Sequence, residues 1–221
     1  MQHNIMSDLT ASSPETPIDR RRLKSSFSPG SIAAKMQDGL SGFIFGKETI
    51  TLKESFYACA ANDMDGQSIS MEAYKDQVCI VVNVASFWGL TNRNYSDLVK
   101  MYDDFNEAGL KVLCFPCNQF GKQEPKEHAE IITFANKFSD AGKKFEWFAK
   151  SHVNGEKTNE VFSFLKEALP WDDGSKDVRW NFGKFLVDHE GNAYKRFGSK
   201  ESPSTMIDDV KLLLEKKKNG K

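Results

Sequence analysis

Two cysteines, Cys114 and Cys117, stand at the spacing of a thiol redox pair, in the segment CFPC. Such a pair is reactive when a helix N-terminus lowers the pKa of one exposed thiol. Cys114, however, lies inside the apolar run KVLCF, where burial raises the pKa of a thiol. We therefore expect Cys114 to be an inert core thiol and favour a packing role for Cys117. A thiol oxidoreductase built on this pair stays as an alternative.

The other potential metal ligands and thiols are scattered along the chain. Cys59 and Cys79 fall in a predicted hairpin and strand, where each is interpreted as a small hydrophobic residue. No second pair of cysteines or histidines stands at ligand spacing, so the sequence predicts neither a zinc site nor any other bound metal. Four cysteines are also too few and too unevenly spaced for a secreted disulfide framework, which indicates a reducing compartment.

A second candidate for chemistry is the stretch IVVNVASFWGLTNRNY, residues 80–95. It predicts a buried strand, a turn and the start of a helix. That arrangement often places a reactive group at the helix N-terminus, which favours negative charge. Trp88 occupies the place here, and an indole offers one weak donor and no ionisable nucleophile. The position is thus one that favours a reactive anionic group, whereas the residue found there cannot supply one.

The elements around this turn follow the order of a βαβ unit. Alternating residues on either side of the turn NDMDG, residues 62–66, predict a β-hairpin ahead of the buried strand. Apolar residues at helical spacing predict a helix after the turn, ending on Gly109 as its C-cap. The run LKVLCFP, residues 110–116, predicts the next strand, parallel to the first.

The second half of the chain supplies the remaining layers. The segments HAEIITFANKF and EVFSFLKEAL predict two helices, and WNFGKFLVDHEGNAYKRFG predicts two antiparallel strands around the turn at residues 189–192. A last helix follows Ser202 or Ser204, either of which can cap it. This succession predicts an α/β protein with a thioredoxin-like fold, in which helices flank a central mixed β-sheet preceded by an N-terminal β-hairpin.

Composition limits the partners. The 30 basic and 31 acidic residues nearly cancel, which argues against nucleic acid and against an acidic membrane surface as partners. No apolar run reaches about 18 residues, so no stable membrane insertion is expected. Three regions are predicted: a disordered, possibly targeting extension over residues 1–46, one domain over 47–215, and a frayed basic tail over 216–221. Cytoplasm is the expected compartment, with mitochondrion or plastid as the alternative through the extension.

Three segments, NVASFWGLTNRNY, FPCNQFGKQEP and WNFGKFLVD, resemble the glutathione peroxidases, especially the monomeric phospholipid-hydroperoxide type, over residues 50–215. The resemblance implies a thiol-dependent peroxidase that reduces hydrogen peroxide and organic or lipid hydroperoxides in the oxidative stress response. In the family, a selenocysteine or cysteine attacks the peroxide, and its position matches Trp88. Three further residues of the family's catalytic tetrad match Gln123, Trp180 and Asn181. The resemblance implies no bound cofactor, since glutathione or another thiol is the reducing co-substrate.

Trp88 is the one departure from this tetrad. Peroxidase chemistry needs a soft nucleophile that thiols can return from its oxidised state, and an indole offers no such step. Selenocysteine is encoded by UGA, a codon that several genetic codes, or an erroneous translation of the gene, read as tryptophan. We therefore favour selenocysteine at position 88 of the natural protein. The alternative is a catalytically silent family member, with a genuine Trp88, that serves as a binding or regulatory protein.

The resemblance also bears on reductant and assembly. Thioredoxin-using members carry a resolving cysteine after the QEP motif, and residues 130–145 of this chain contain none. Glutathione is therefore the expected reductant. The segment between VNGEKTNEVF and WNF is short, as in monomeric members, so we expect a monomer.

Overall fold

The computed structural model describes residues 53–220. The predicted N-terminal extension lies outside them. The described chain begins with a short antiparallel hairpin, β1 (Ala60–Asn62) and β2 (Ser68–Ser70). Asp63 closes its turn, because one carboxylate oxygen accepts from the backbone N–H groups of Asp65 and Gln67, each at 2.9 Å. The predicted hairpin is thus confirmed, although its strands are short and Cys59 lies just before β1.

A five-stranded sheet forms the centre of the domain. Its order is β5-β4-β3-β6-β7, with β3, β4 and β5 parallel and the other neighbours antiparallel. The strands are β3 (Val78–Val84), β4 (Leu110–Pro116), β5 (Glu146–Trp147), β6 (Lys184–Val187) and β7 (Ala193–Phe197). The predicted mixed sheet and the parallel βαβ unit are confirmed; β5 was not predicted.

Five α-helices lie around the sheet. They are α1 (Thr91–Phe105), α2 (His128–Ala135), α3 (Ala141–Lys144), α4 (Glu160–Ala168) and α5 (Ile207–Asn219). Strand β3 separates two apolar layers, since alternate side chains point to opposite faces. Residues such as Val82 pack with α1 and α5, whereas Val81 packs with α4 on the other face. This is the predicted thioredoxin-like architecture.

Two predicted helix boundaries are wrong, and the tail that was predicted to fray is helical up to Asn219. Helix α1 ends at Phe105, and Gly109 instead supplies the positive φ of +107° in the turn before β4. Ser202 caps the short 3₁₀ turn Pro203–Met206 rather than α5 itself. Helix α5 continues to Asn219, so the lysines predicted to fray form its last turn. Cations are favourable there because the helix dipole is negative at its C-terminus.

Within residues 53–220, no helix is long and apolar enough to cross a membrane.

Candidate active site

Residue 88 lies in the turn between β3 and α1, directly ahead of the helix N-terminus. Thr91, the first residue of α1, fixes this turn: its hydroxyl donates to the Ala85 carbonyl at 2.7 Å and accepts from the Trp88 N–H at 3.2 Å. Phe87 beside it is 54 % exposed. A thiol or selenol at this position would have its pKa lowered by the positive end of the helix dipole.

The Trp88 indole is half-buried in this turn. It stacks on the ring of the fully buried Phe182, with centroids 5.8 Å apart and planes inclined by 21°. Stacked aromatic pairs at this separation add a favourable contact beyond the area they bury. The fold therefore accommodates an aromatic side chain at position 88, while an indole supplies no redox chemistry there.

Gln123 and Asn181 come together although 58 positions separate them in the chain. The Asn181 Nδ2 donates to the Gln123 Oε1 at 2.7 Å. Asn181 is fully buried, and its Oδ1 is without a hydrogen-bond partner among the described residues. Trp180 is 39 % exposed, and its ring centroid lies 5.8 Å from that of Phe120. The Phe87 N–H donates to the Gln123 carbonyl at 3.0 Å, which places this group beside the turn that carries residue 88.

Asn83, on β3, places the segment that contains Trp180 and Asn181. Its Oδ1 accepts from the Gly183 N–H at 2.9 Å, and its Nδ2 donates to the Trp180 carbonyl at 3.2 Å. A Cβ on Gly183 would meet Val178 at 2.9 Å, so the close approach requires glycine. Asn83, buried in β3, thus satisfies two backbone groups of that segment.

Asn118 and Gln119 hold the loop after β4. The Asn118 Oδ1 accepts from the Glu124 N–H at 2.9 Å. The Gln119 Oε1 accepts from the Val153 and Asn154 N–H groups at 2.7 and 3.1 Å, and its Nε2 donates to the Asn154 carbonyl at 2.9 Å. These bonds fasten the loop that carries Gln123 to the segment that follows β5.

The four cysteines are buried free thiols. Burial raises the pKa of Cys114 well above its ordinary value and also raises that of Cys117. Burial raises the pKa of Cys59 to about 11, and it raises the pKa of Cys79 as well. Thiols that stay protonated and covered are poor nucleophiles. The interpretation of Cys114 and Cys117 as packing residues is thus supported, and the geometry argues against a redox pair.

Two features at the site were missed by sequence reasoning. The fully buried Glu124 accepts from the Ser86 hydroxyl at 2.9 and 3.1 Å with its two carboxylate oxygens. Arg196 holds the loop ahead of Trp180: it lies 4.1 Å from the Trp171 ring centroid and donates to three backbone carbonyls, those of Leu169, Lys176 and Asp177. A glutamate next to Gln123 was visible in the sequence, but only the fold shows that it is buried.

Among residues 53–220, no group of three or more histidine, cysteine or acidic side chains is placed to hold a metal ion.

Comparison with known proteins adds independent information. The family model described as glutathione peroxidase matches residues 56–166, which include position 88 and Gln123. The chain is 41 % identical over 162 residues to the probable glutathione peroxidase 8 of Arabidopsis thaliana, covering 73 % of this chain and 95 % of the relative. It is 42 % identical over 163 residues to the probable phospholipid hydroperoxide glutathione peroxidase 6, mitochondrial, of the same plant, covering 73 % of this chain and 68 % of that protein.

Among solved structures, the chain is similar to the crystal structure of T. cruzi GPX1. The TM-score is 0.61 at 29 % sequence identity, with 73 % of this chain and 97 % of that chain covered. Trp180 and Asn181 lie beyond the segment that the family model matches, so their assignment depends on the WNF motif and on the contact with Gln123.

Proposed function

The chain belongs to the glutathione peroxidase family, and we propose that it reduces hydroperoxides with electrons from thiols, position 88 being that of the selenocysteine or cysteine nucleophile. Its similarity to phospholipid hydroperoxide glutathione peroxidases supports organic and lipid hydroperoxides as substrates beside hydrogen peroxide. The observation that carries the proposal is the hydrogen bond of 2.7 Å between Asn181 and Gln123, beside the turn of residue 88.

In the proposed cycle, the chalcogenolate at position 88 attacks one peroxide oxygen and the O–O bond breaks. Residue 88 becomes a selenenic or sulfenic acid, and the departing alkoxide or hydroxide takes up a proton from solvent and leaves as alcohol or water. A first thiol condenses with it and releases water, and a second thiol then exchanges to release the disulfide and restore the nucleophile. No bound cofactor takes part, because the thiols bring both electrons.

We assign each protein group a role in this cycle. The N-terminus of α1 favours the anionic nucleophile at position 88. Gln123, Trp180 and Asn181 are proposed to donate hydrogen bonds to the chalcogen and the peroxide, since amide and indole N–H groups are donors. The exposed side chain of Trp180 is available to donate to substrate, whereas the buried Oδ1 of Asn181 can only accept a hydrogen bond.

Glutathione is the proposed reductant. A disulfide relay to thioredoxin needs a second, accessible cysteine, and the segment after QEP, which forms α2 and α3, contains none. The four cysteines that the chain does have are buried with raised pKa values. External thiols must therefore reach residue 88 directly, past the exposed Phe87 and the open side of Gly89.

The second candidate is a catalytically silent family member that acts as a binding or regulatory protein. The observation in its favour is the packing of Trp88 on Phe182, which gives an aromatic residue at position 88 a place in the fold. The two functions differ in one measurement, the consumption of hydroperoxide with glutathione by the protein from its natural source. Turnover supports the peroxidase, and its absence in a protein shown to carry tryptophan supports the silent member.

We propose that the protein is a monomer and that it resides in the cytoplasm, with the mitochondrion or plastid as the alternative compartment. One relative carries the word mitochondrial in its name, which supports the alternative. Light scattering should give a mass near 25.0 kDa. Imaging of a fluorescent protein fused to residues 1–46 decides whether those residues direct import into an organelle.

A further inference from the structure

Glu124 has an unusual position for a carboxyl group. Its side chain is fully buried next to the site, and the Ser86 hydroxyl donates to both carboxylate oxygens, at 2.9 and 3.1 Å. Its backbone N–H donates to the Asn118 Oδ1 at 2.9 Å. Burying a carboxyl group costs free energy because the group loses its hydration, and hydrogen bonds within the protein offset that cost. Here they join two segments that the proposed chemistry requires to be close.

Both segments carry a residue of the proposed site. Ser86 stands two positions before residue 88, and Glu124 directly follows Gln123. A backbone bond of 3.0 Å, from the Phe87 N–H to the Gln123 carbonyl, runs beside the Ser86–Glu124 contact. Resting on the proposed function, we propose that Glu124 is a positioning residue, whose contact with Ser86 fixes the turn of residue 88 against the loop of Gln123.

The charged and titratable groups around Glu124 determine how this contact depends on pH. Burial raises the pKa of Glu124 to about 7, against the lowering effects of the Ser86 hydrogen bond and of the Lys150 and Lys126 ammonium groups. Tyr95, the other titratable group that faces it, stays neutral because burial raises its own pKa well above the ordinary value. Glu124 therefore changes charge near neutral pH.

The sign of the pH effect follows from proton linkage. The closed site holds the Glu124 proton with a pKa of about 7, whereas a hydrated carboxyl has its ordinary value of 4.5. Opening that hydrates Glu124 therefore becomes easier as the pH rises from about 4.5 to about 7, by up to about tenfold per pH unit, and no longer changes once the pH is well above the pKa of the closed site. Below the ordinary value of the carboxyl, opening no longer depends on this group. The closed site is thus most stable with Glu124 protonated, because the effect of burial exceeds that of the Ser86 hydrogen bond, which favours the carboxylate.

Amide hydrogen exchange on the full chain tests this directly, because the Phe87 N–H bridges the two segments. From pH 6 to 8.5 the protection factor of that amide should fall about tenfold, with most of the fall between pH 6 and 7, after correction for intrinsic exchange. The Glu124→Gln variant, which has no ionisable group, should show a constant protection factor. The matched control is Glu156→Gln, the same change at an exposed position, which should keep the pH dependence of the unmodified chain.

Carbon-13 NMR of the Glu124 carboxyl group measures its pKa in the unmodified chain, so this second test does not depend on whether a variant folds. The Glu124 resonance should titrate near pH 7, and Ser86→Ala should move the midpoint upward, since Ser86 lowers this pKa. Titration of Glu124 in the ordinary range of a carboxyl would overturn the proposal. So would the same pH dependence of Phe87 protection in Glu124→Gln as in the unmodified chain.

Activity forms a separate arm. In a Trp88→Cys background, Glu124→Gln should change the pH profile of hydroperoxide reduction, whereas Glu156→Gln should leave it unchanged. An unchanged profile in both would contradict the positioning role. If Trp88→Cys reacts with no hydroperoxide at all, the proposed function fails, while the exchange and NMR experiments still decide whether Glu124 holds the two segments together.

Discussion

The parallel neighbours β3 and β4 both end at the same edge of the sheet, yet their ends differ. Strand β3 ends in a turn with an exposed Phe87, a half-buried residue 88 and a helix starting at Thr91. Strand β4 ends at Pro116 and is followed by Cys117, which is fully buried and has a raised pKa. The end with a thiol is covered, and the end suited to a nucleophile carries tryptophan.

The difference shows that environment rather than residue type locates the chemistry. A thiol reacts as a thiolate, which requires access and stabilisation of negative charge. The β3 end offers both, through the open turn and the N-terminus of α1. The β4 end offers neither, because the loop fastened by Gln119 covers Cys117. The CFPC spacing alone therefore indicates the wrong place for the chemistry, whereas the turn between a strand and a helix at Trp88 indicates the proposed one.

The largest expected effect comes from moving a thiol to the β3 end. Trp88→Cys should gain glutathione-dependent hydroperoxide reduction, at least about 10³-fold above the chain with Trp88, because the proposed partners Gln123, Trp180 and Asn181 are present in the chain. A coupled assay of glutathione oxidation with hydrogen peroxide and a lipid hydroperoxide measures it. Equal turnover by the Trp88 chain would contradict the account, since an indole cannot complete the cycle.

A smaller effect is expected from the groups that face the β3 end. In the Trp88→Cys background, Gln123→Ala or Asn181→Ala should each lower kcat/KM by about 10²-fold, as for loss of one preorganised donor. The control is Gln67→Ala, at the exposed hairpin turn. Rates that remain near those of the control would show that the bond between Gln123 and Asn181 serves the fold alone.

Loosening the cover of the β4 end should make its thiol more accessible. Gln119→Ala removes three hydrogen bonds to the Val153–Asn154 backbone and should destabilise the protein by about 1–2 kcal/mol. Local opening of that size should speed alkylation of Cys117 by roughly tenfold. Peptide mapping after timed iodoacetamide treatment, beside urea unfolding, measures both. Unchanged labelling would mean that something other than this loop protects Cys117.

The smallest effect concerns Cys117 itself. Cys117→Ala in the Trp88→Cys background should leave kcat/KM within about twofold, since a covered thiol of raised pKa takes no part in the reaction. Steady-state assays over several glutathione concentrations measure it. A collapse of activity would assign a redox role to the β4 end and revive the thiol-pair alternative.

The sequence predicted the parts of the fold that periodicity and turn residues determine. The bounds of β4 and the start of α1 follow from the apolar run at 110–116 and from Thr91 after the turn. Gly109 was misplaced because a four-residue turn, residues 106–109, separates α1 from β4, and the apolar periodicity does not show at which residue the helix ends. The two-residue strand β5 is too short to leave a pattern.

Parts of the site were equally readable. An amide in a buried strand, such as Asn83, is expected to satisfy a backbone group, and amides in the loop after β4, such as Asn118 and Gln119, are suited to holding that loop; the hydrogen bonds show both. The pairing of Gln123 with Asn181 depends on two loops meeting across the sheet edge, which only the resemblance suggested. The burial of Glu124 left no trace in the sequence, because a carboxylate beside Gln123 and Pro125 is typical of an exposed loop.

The most direct test of the central claim is the identity of residue 88 in the natural protein. Mass spectrometry of the peptide that contains residues 80–95, purified from the natural source, gives it without any assumption about activity. The account predicts selenocysteine, seen as the isotope pattern of selenium at position 88. A peptide with tryptophan at that position would contradict the account and leave the catalytically silent family member.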